Sequence, residues 1–130
     1  MDPNLKILIV DDSKPSRSLM AKVLDAMSLP NHLEAETVME AVGLLQAGGI
    51  GLILLDWNMP DISGLDLLAN LKANPALKQI PVIMVSANGD LFDVKEAMSL
   101  GAADYLVKPI NAELLKEKIA RATQPKPKGR

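Results

Sequence analysis

The sequence predicts one α/β domain built on a five-stranded parallel sheet with helices on both faces. Five strand-length segments alternate with five segments of helical periodicity, which is the order that parallel sheets require. The chain has 130 residues, of which 48% are hydrophobic and 23% charged, and this fits a single globular domain with its own core. The three most apolar segments identify the centre of the sheet.

The five strand segments divide into a central and a peripheral set. Residues 6–10, 51–55 and 80–85 are apolar almost throughout, as expected of strands that are buried on both faces. Residues 32–37 and 103–108 mix polar and apolar positions, as strands at a sheet edge do. The second and fifth strands are therefore expected at the edges, which fits the order 2-1-3-4-5 of flavodoxin-like (βα)5 domains.

Five helices are predicted after these strands. Their apolar residues recur at intervals of three and four, which places them on one face of each helix. The positions are Met20, Val23, Leu24 and Met27; Val38, Ala41, Val42 and Leu45; Leu65, Leu68 and Leu71; Val94, Ala97, Met98 and Gly101; and Leu114, Leu115, Ile119 and Ala122.

Composition and charge exclude several classes of function. The chain has no cysteine, so it forms neither a disulfide nor a zinc–thiolate site. The net charge is −2, to which the last seven residues contribute +3, leaving −5 for residues 1–123. With one residue each of Phe, Tyr and Trp and no basic stripe, the chain is expected to bind no nucleic acid. Its N-terminal apolar run is too short for a signal peptide or a membrane span, so we expect no membrane partner and a cytoplasmic protein.

We expect the domain to span residues 1–123. The remaining residues, 124–130, read QPKPKGR, and their Pro, Lys and Gly content is typical of a disordered basic tail or of the stub of a linker. Both alternatives stay open because they share this composition.

Polar side chains follow four of the strands at the point where each strand ends. The residues are Asp11 and Asp12 after the first strand, Asp56 after the third, Ser86 after the fourth and Lys108 after the fifth. Because the carboxyl ends of parallel strands meet at one edge of the sheet, near the reversal of strand order, these side chains are expected to lie together. Singly, each has an ordinary explanation as a helix cap, a turn or a solvated charge. Their convergence favours a functional site.

Three carboxylates at one site call for a cation. At an effective dielectric constant of about 20, two like charges 4 Å apart repel by on the order of 4 kcal/mol, and one lysine does not neutralise three acids. Mg²⁺ takes one or two carboxylates and shares a phosphate oxygen, so it would also admit a phosphoryl group. An ionised aspartate beside the metal can act as a nucleophile and form an aspartyl phosphate. Asp56 suits this role because it ends the central third strand, with Lys108 and Ser86 placed to contact phosphoryl oxygens.

Four segments in order give the chain a resemblance to a known family. They are LIVDDS (8–13), LLDWNMPDISG (54–64), VIMVSANG (82–89) and YLVKP (105–109). At these strand ends they resemble a response-regulator receiver domain of the single-domain chemotaxis (CheY-like) type. The resemblance extends from residue 5 to about residue 122.

The resemblance implies a role for each residue of the acidic site. Asp56 corresponds to the phosphoacceptor, and Asp11 and Asp12 correspond to the acids that bind Mg²⁺ directly or through water. Asn58 matches the position whose backbone carbonyl completes the metal shell. Lys108 matches the lysine of the family that contacts the phosphoryl group.

The resemblance also implies a switch centred on Ser86. This residue matches the hydroxyl that moves toward the phosphoryl group, and the small Ala87 beside it leaves room. Tyr105 matches the aromatic that then turns inward, although half-buried packing at an edge strand is an alternative for it. The Lys108–Pro109 bond is expected to be cis.

Three further positions bear on the site. Trp57, directly after the nucleophile, is expected at its rim. Gly64 is expected to give the turn after Asp56 backbone freedom or close approach. Asn88 lies two residues past Ser86 at a position that varies among relatives, so kinase preference and the lifetime of the aspartyl phosphate do not carry over.

The implied function is a phosphorylation-activated signalling switch of a two-component, chemotaxis-type system, and not an enzyme with external turnover. Asp56 would accept a phosphoryl group from a phosphohistidine of a sensor kinase or phosphotransfer protein. The face of the fourth helix, fifth strand and fifth helix would then bind an output protein.

Two alternative functions stand beside this one. A phosphorylation-independent binding module predicts that a site residue is missing, and none is; an aspartyl-nucleophile Mg²⁺ phosphatase has Asp-x-Asp after its first strand, where this chain has Asp11-Asp12.

Overall fold

The computed structural model describes residues 3–87 and 91–123, and for Leu91 and Phe92 the backbone only. Asn88 and the predicted tail, residues 124–130, lie outside the described residues. Strands and helices alternate, which confirms the predicted order. The elements are β1 (Lys6–Val10), α1 (Lys14–Ala26), β2 (His32–Ala35), α2 (Val38–Gln46), β3 (Ile50–Asp56), α3 (Gly64–Ala73), β4 (Val82–Ser86), α4 (Leu91–Ser99), β5 (Asp104–Val107) and α5 (Ala112–Ala122).

The five strands form one parallel sheet in the order β2-β1-β3-β4-β5, as predicted for a flavodoxin-like fold. The register aligns the carboxyl ends of neighbouring strands: Val10 pairs with Leu55, Asp56 with Val85, and Ser86 with Val107. The residues that follow the strands therefore meet at one edge of the sheet.

Three of the predicted strands, β3, β4 and β5, shift by one or two residues, and β3 and β4 each include the polar residue that was expected to follow them, Asp56 and Ser86. β2 and α4 end earlier than predicted, for local reasons. β2 ends at Ala35 instead of residue 37 because Thr37 is the N-cap of α2 and its hydroxyl accepts a hydrogen bond from the amide of Glu40. α4 ends at Ser99, so Gly101 does not belong to its apolar face. Gly101 has φ +105°, a left-handed conformation that ends helices and that glycine adopts without strain.

The core has two layers, one on each face of the sheet. Alternate residues of a strand point to opposite faces, so Ile7 and Ile9 join one layer and Leu8 and Val10 the other. The first layer packs against α1 and α5, and the second against α2, α3 and α4. This arrangement confirms that helices cover both faces. No helix among the described residues is long and apolar enough to cross a membrane.

The C-terminus of α1 contains a serine in a conformation that favours glycine. Ser28 has φ 61°, and its amide donates to the carbonyl of Asp25 (3.0 Å), while the amide of Leu29 donates to the carbonyl of Leu24 (2.9 Å). This pair of bonds is a Schellman motif, whose left-handed residue carries a steric cost when it has a Cβ. Leu29, which follows, is buried in the first core layer.

We expect Ser28→Gly to raise the free energy of unfolding by about 1 kcal/mol, because glycine adopts the left-handed conformation without that cost. Denaturant unfolding followed by circular dichroism measures the change. The matched control is Ser18→Gly, an exposed serine within α1, which should lower stability by about 0.5 kcal/mol. Equal effects of the two substitutions would contradict the assignment.

Candidate functional site

Three aspartates converge at the carboxyl edge of the sheet, beside the junction of β1 and β3. One carboxylate oxygen from each of Asp11, Asp12 and Asp56 lies within 4.8 Å of the others, which makes them a candidate metal-binding group in the described part of the chain. Asp11 is fully buried, Asp56 is 4% exposed and Asp12 is exposed. The cluster is thus buried on one side and open to solvent on the other.

The backbone at this edge is fixed by continuation of the sheet. The amides that directly follow β1, β3 and β5 each donate to a carbonyl at the end of the neighbouring strand, which holds the loops to the sheet. The bonds join Asp11 N to Ala35 O (3.1 Å), Trp57 N to Val85 O (3.0 Å) and Lys108 N to Ser86 O (2.7 Å).

Lys108 supplies the positive charge of the cluster. Its ammonium nitrogen lies 3.0 Å from Asp11 Oδ2 and 3.5 Å from Asp56 Oδ2. Burial alone would lower the pKa of Lys108, but the two carboxylates outweigh burial and the pKa is raised. Lys108 therefore remains an ammonium group and bridges two of the three acids.

Asp11 is held in place by hydrogen bonds from two residues that follow it closely in the chain, Ser13 and Arg17. Its Oδ1 accepts a hydrogen bond from the amide of Ser13 (2.8 Å), and its backbone carbonyl accepts one from Arg17 Nη1 (2.7 Å). Arg17 is buried and also donates through Nε to Glu34 on β2 (2.9 Å). Arg17 is not among the predicted site residues, although its position three residues before Met20 places it on the apolar face of α1, where a charged residue is unexpected.

The environment of Asp56 makes its negative charge unfavourable. Burial, together with the charge of Asp11, raises the pKa of Asp56 from its ordinary 3.8 to about 6, against the opposing effects of Lys108 and of the Asn58 amide. That amide donates to Asp56 Oδ1 at 3.2 Å. The carboxylate is still the main form at neutral pH, but a bound cation would stabilise it.

The donor set fits a hard divalent cation. Three carboxylates supply oxygen ligands, and Asp11 Oδ2, though close to Lys108, makes no hydrogen bond with proper geometry in the described part of the chain. An open cleft of about 280 Å³ leads to the cluster and has room for water ligands. It is lined by Asp12, Trp57, Asn58, Met59, Pro60 and Ser63.

The residues expected to form a switch lie beside this cluster. Ser86 ends β4 and is fully buried, while Ala87 follows it and is exposed. Tyr105 on β5 is 6% exposed and its ring contacts that of Trp57 edge to face, with centroids 6.3 Å apart. Tyr105 is thus more buried than the half-buried packing that was the alternative, and its part in a switch stays a prediction. Pro109 is exposed, and the Lys108–Pro109 bond is cis as expected.

Gly64 permits the close return of the chain after Asp56. Its amide donates to the carbonyl of Trp57 (2.8 Å), and a Cβ at this position would lie 2.1 Å from the carbonyl oxygen of Asp56. Close approach, and not a left-handed conformation, therefore explains the glycine.

A larger cavity of about 600 Å³ lies at the opposite edge of the sheet, near the amino ends of β4 and β5. Three of its charged residues make structural contacts: Asp104 pairs with Lys118 (2.8 Å) and with Arg121 (3.5 Å), and Lys72 Nζ donates to two backbone carbonyls. We place the functional site at the acidic edge, where three carboxylates lie close enough to hold a metal ion.

The chain belongs to the response regulator receiver domain family, whose model matches residues 7–120. It is 38% identical over 119 residues to chemotaxis protein CheY-3 of Vibrio cholerae, covering 92% of each chain, and 38% identical over 117 residues to chemotaxis protein CheY of Pseudomonas aeruginosa, covering 90% of this chain and 94% of that one. The solved structure of chemotaxis protein CheY4 of Vibrio cholerae superposes with a TM-score of 0.84 at 27% identity, covering 92% of this chain and 98% of that one. The resemblance is confirmed: the chain is a receiver domain of the CheY-like type, which supports a signalling switch of the phosphorylation type.

We expect Gly64→Ala to lower the free energy of unfolding by about 2 kcal/mol or more, because the added methyl group would overlap the Asp56 carbonyl. Denaturant unfolding measures the loss. Gly43→Ala within α2 is the matched control, because a Cβ there meets nothing within 4 Å, and this change should raise stability by about 0.5–1 kcal/mol. A neutral Gly64→Ala would mean that the loop relaxes without cost.

We expect Asp56→Asn to stabilise the metal-free protein at pH 7.5 by on the order of 2 kcal/mol. The pKa of Asp56 is raised to about 6 on folding, so ionisation above that pH costs stability, and the cost disappears as the pH falls toward 4. The difference in the free energy of unfolding between Asp56→Asn and the wild type should therefore shrink between pH 7.5 and pH 4.5. Denaturant unfolding in the presence of a chelator measures it.

The control for charge is Asp66→Asn, which removes an exposed acid from the first turn of α3 and should slightly lower stability. An advantage of Asp56→Asn that does not depend on pH would contradict the electrostatic cause.

Proposed function

We propose that this protein is a two-component signalling switch that accepts a phosphoryl group on Asp56 from a phosphohistidine of a sensor kinase or phosphotransfer protein. The observation that carries the proposal is the placement of Lys108 between Asp11 and Asp56, with Asp12 at the open side. This arrangement leaves excess negative charge beside a potential nucleophile, which is where a cation and a phosphoryl group are both stabilised.

Asp11, Asp12, Asp56 and the backbone carbonyl of Asn58 are the proposed ligands of Mg²⁺. When bound, the cation would neutralise the acids and the charge of a phosphoryl group. The partly open cleft beside Asp12 would admit the phosphodonor.

The transfer uses residues of this chain in defined roles. A carboxylate oxygen of Asp56 forms a bond to phosphorus while the phosphorus–nitrogen bond of the phosphohistidine breaks, and the electron pair leaves with the imidazole. Lys108 then loses one carboxylate partner and contacts a phosphoryl oxygen instead. The product is an aspartyl phosphate on the same edge of the sheet.

The switch to an output protein would run through β4 and β5. The hydroxyl of Ser86 moves to a phosphoryl oxygen, the loop that begins at Ala87 follows, and Tyr105 is held inward. These changes reach the face of α4, β5 and α5, where Met98, Val107 and Leu114 are exposed apolar residues suited to a protein partner. In this proposal the receiver domain spans residues 1–123, acts in the cytoplasm, and residues 124–130 form a basic tail or linker stub.

We expect Asp56→Asn to abolish phosphorylation. Trp57 is the sole tryptophan and lines the cleft, so its fluorescence should respond to an Mg²⁺ titration and again to acetyl phosphate, with a gain of one phosphoryl group in the intact mass. Asp66→Asn, with the same change of charge, should behave like the wild type. Undiminished mass gain in Asp56→Asn would refute the nucleophile, and no Mg²⁺ response or mass gain in folded wild type would favour a phosphorylation-independent binding module.

A further inference from the structure

Asp61 joins the loop after the proposed nucleophile to a different helix. It lies in the loop between β3 and α3, residues 57–63, and both of its carboxylate oxygens accept backbone hydrogen bonds from α2. Oδ1 accepts from the amide of Val38 and Oδ2 from the amide of Met39, each at 3.1 Å. These amides belong to the first two residues of α2, which have no partner within the helix.

The start of α2 is otherwise capped by its own residues. The hydroxyl of Thr37 accepts from the amide of Glu40 (3.1 Å), and the Glu40 carboxylate accepts in return from the amide of Glu36 (3.2 Å). Asp61 takes the two amides that this local cap leaves over. Its bonds therefore connect two distant parts of the chain instead of merely starting a helix.

The bonds are favourable in spite of the exposure of Asp61. The amides of Val38 and Met39 hold the pKa of Asp61 below its ordinary value, with the amide of Val38 as the largest cause. Charge-assisted bonds to helix N-terminal amides are among the stronger hydrogen bonds of a protein surface. Asp61 therefore remains charged and engaged near neutral pH.

The same loop carries the backbone of the proposed metal site. At its start the amide of Asn58 bonds Asp56, and at its end the amide of Gly64 bonds the carbonyl of Trp57. Asp61 is the contact that holds the middle of the loop, three residues after Asn58. Within the described residues, the side-chain bonds of Asp61 join the stretch from Met59 to Ile62 to α2, and Met59 packs against the second core layer.

We propose that Asp61 is a positioning residue of the Mg²⁺ site: by fixing this loop to the first turn of α2, it sets the place of the Asn58 carbonyl and so the affinity for the cation. The proposal rests on the proposed function, because it concerns the same site. The proposal gives α2 a supporting role in the site, although α2 contributes none of the proposed Mg²⁺ ligands.

The first test compares Mg²⁺ affinities by the fluorescence of Trp57, with the free energy of unfolding measured in parallel in chelator. Asp61→Ala should weaken Mg²⁺ binding by about tenfold, the low end for groups that orient metal ligands. Asp61→Asn should lose less, since its amide oxygen can still accept one of the two bonds. Asp66→Ala, which removes an exposed acid from α3, should leave the affinity within about twofold of the wild type.

The second test removes the donor instead of the acceptor. Met39→Pro deletes one of the two amides, and it should be tolerated because Met39 is 68% exposed and α1 carries Pro15 at the same second position. It should weaken Mg²⁺ binding in the same direction as Asp61→Ala. When both substitutions are made in one chain, the loss of Mg²⁺-binding free energy should be smaller than the sum of the two separate losses, as expected for partners in one contact.

The outcomes separate this proposal from the proposed function. If the wild type shows no saturable Mg²⁺ response and gains no phosphoryl group, the proposed function fails. If the wild type responds, but Asp61→Ala lowers stability and leaves Mg²⁺ affinity equal to that of Asp66→Ala, Asp61 is only a helix cap and the positioning role is refuted. An equal loss of affinity in Asp66→Ala would refute it too, because the effect would then be one of charge alone.

Discussion

The repulsion among three carboxylates that share one ammonium group is the constraint on which the rest of the site depends. Asp11 and Asp56 are buried, and Lys108 contacts both, but Asp12 remains without a comparable partner in the described structure. The fold tolerates this because the sheet fixes the backbone at the strand ends that carry Asp11, Asp56 and Lys108. The energy of the hydrophobic layers on both faces of the sheet offsets the unfavourable charges.

The local structure around the cluster holds the acids close together in spite of their mutual repulsion and the cost of burying them. Arg17 binds the carbonyl of Asp11, and Gly64 lets the chain return closely over the carbonyl of Asp56. Such contacts fix the backbone that carries the two acids and leave their carboxylates unpaired by these groups, so the negative potential is retained for a ligand. Stability is given up locally and function is gained at the same place, as is common at active sites.

The fold and the identity of the acidic residues could be predicted from sequence because both depend on short-range patterns. Apolar runs mark the strands, and the topology of a parallel sheet brings the residues after them to one edge. The roles of Arg17 and Asp61 could not be found in this way, since they depend on tertiary contacts: Arg17 also binds the side chain of Glu34 on β2, and Asp61 binds the backbone of α2. The ends of β2 and α4 also depended on local events, the cap at Thr37 and the left-handed Gly101.

The hydrogen bonds of Asp61 to α2 are made entirely to main-chain amides. This affects which surface residues of α2 can change among related proteins. The side chain at position 39 can be exchanged while the contact is kept, provided that the residue is not proline, whereas Val38 is buried in the second core layer. Met39 projects into solvent. Related proteins can therefore acquire new recognition properties on the exposed side of α2 without disturbing the loop that the helix supports.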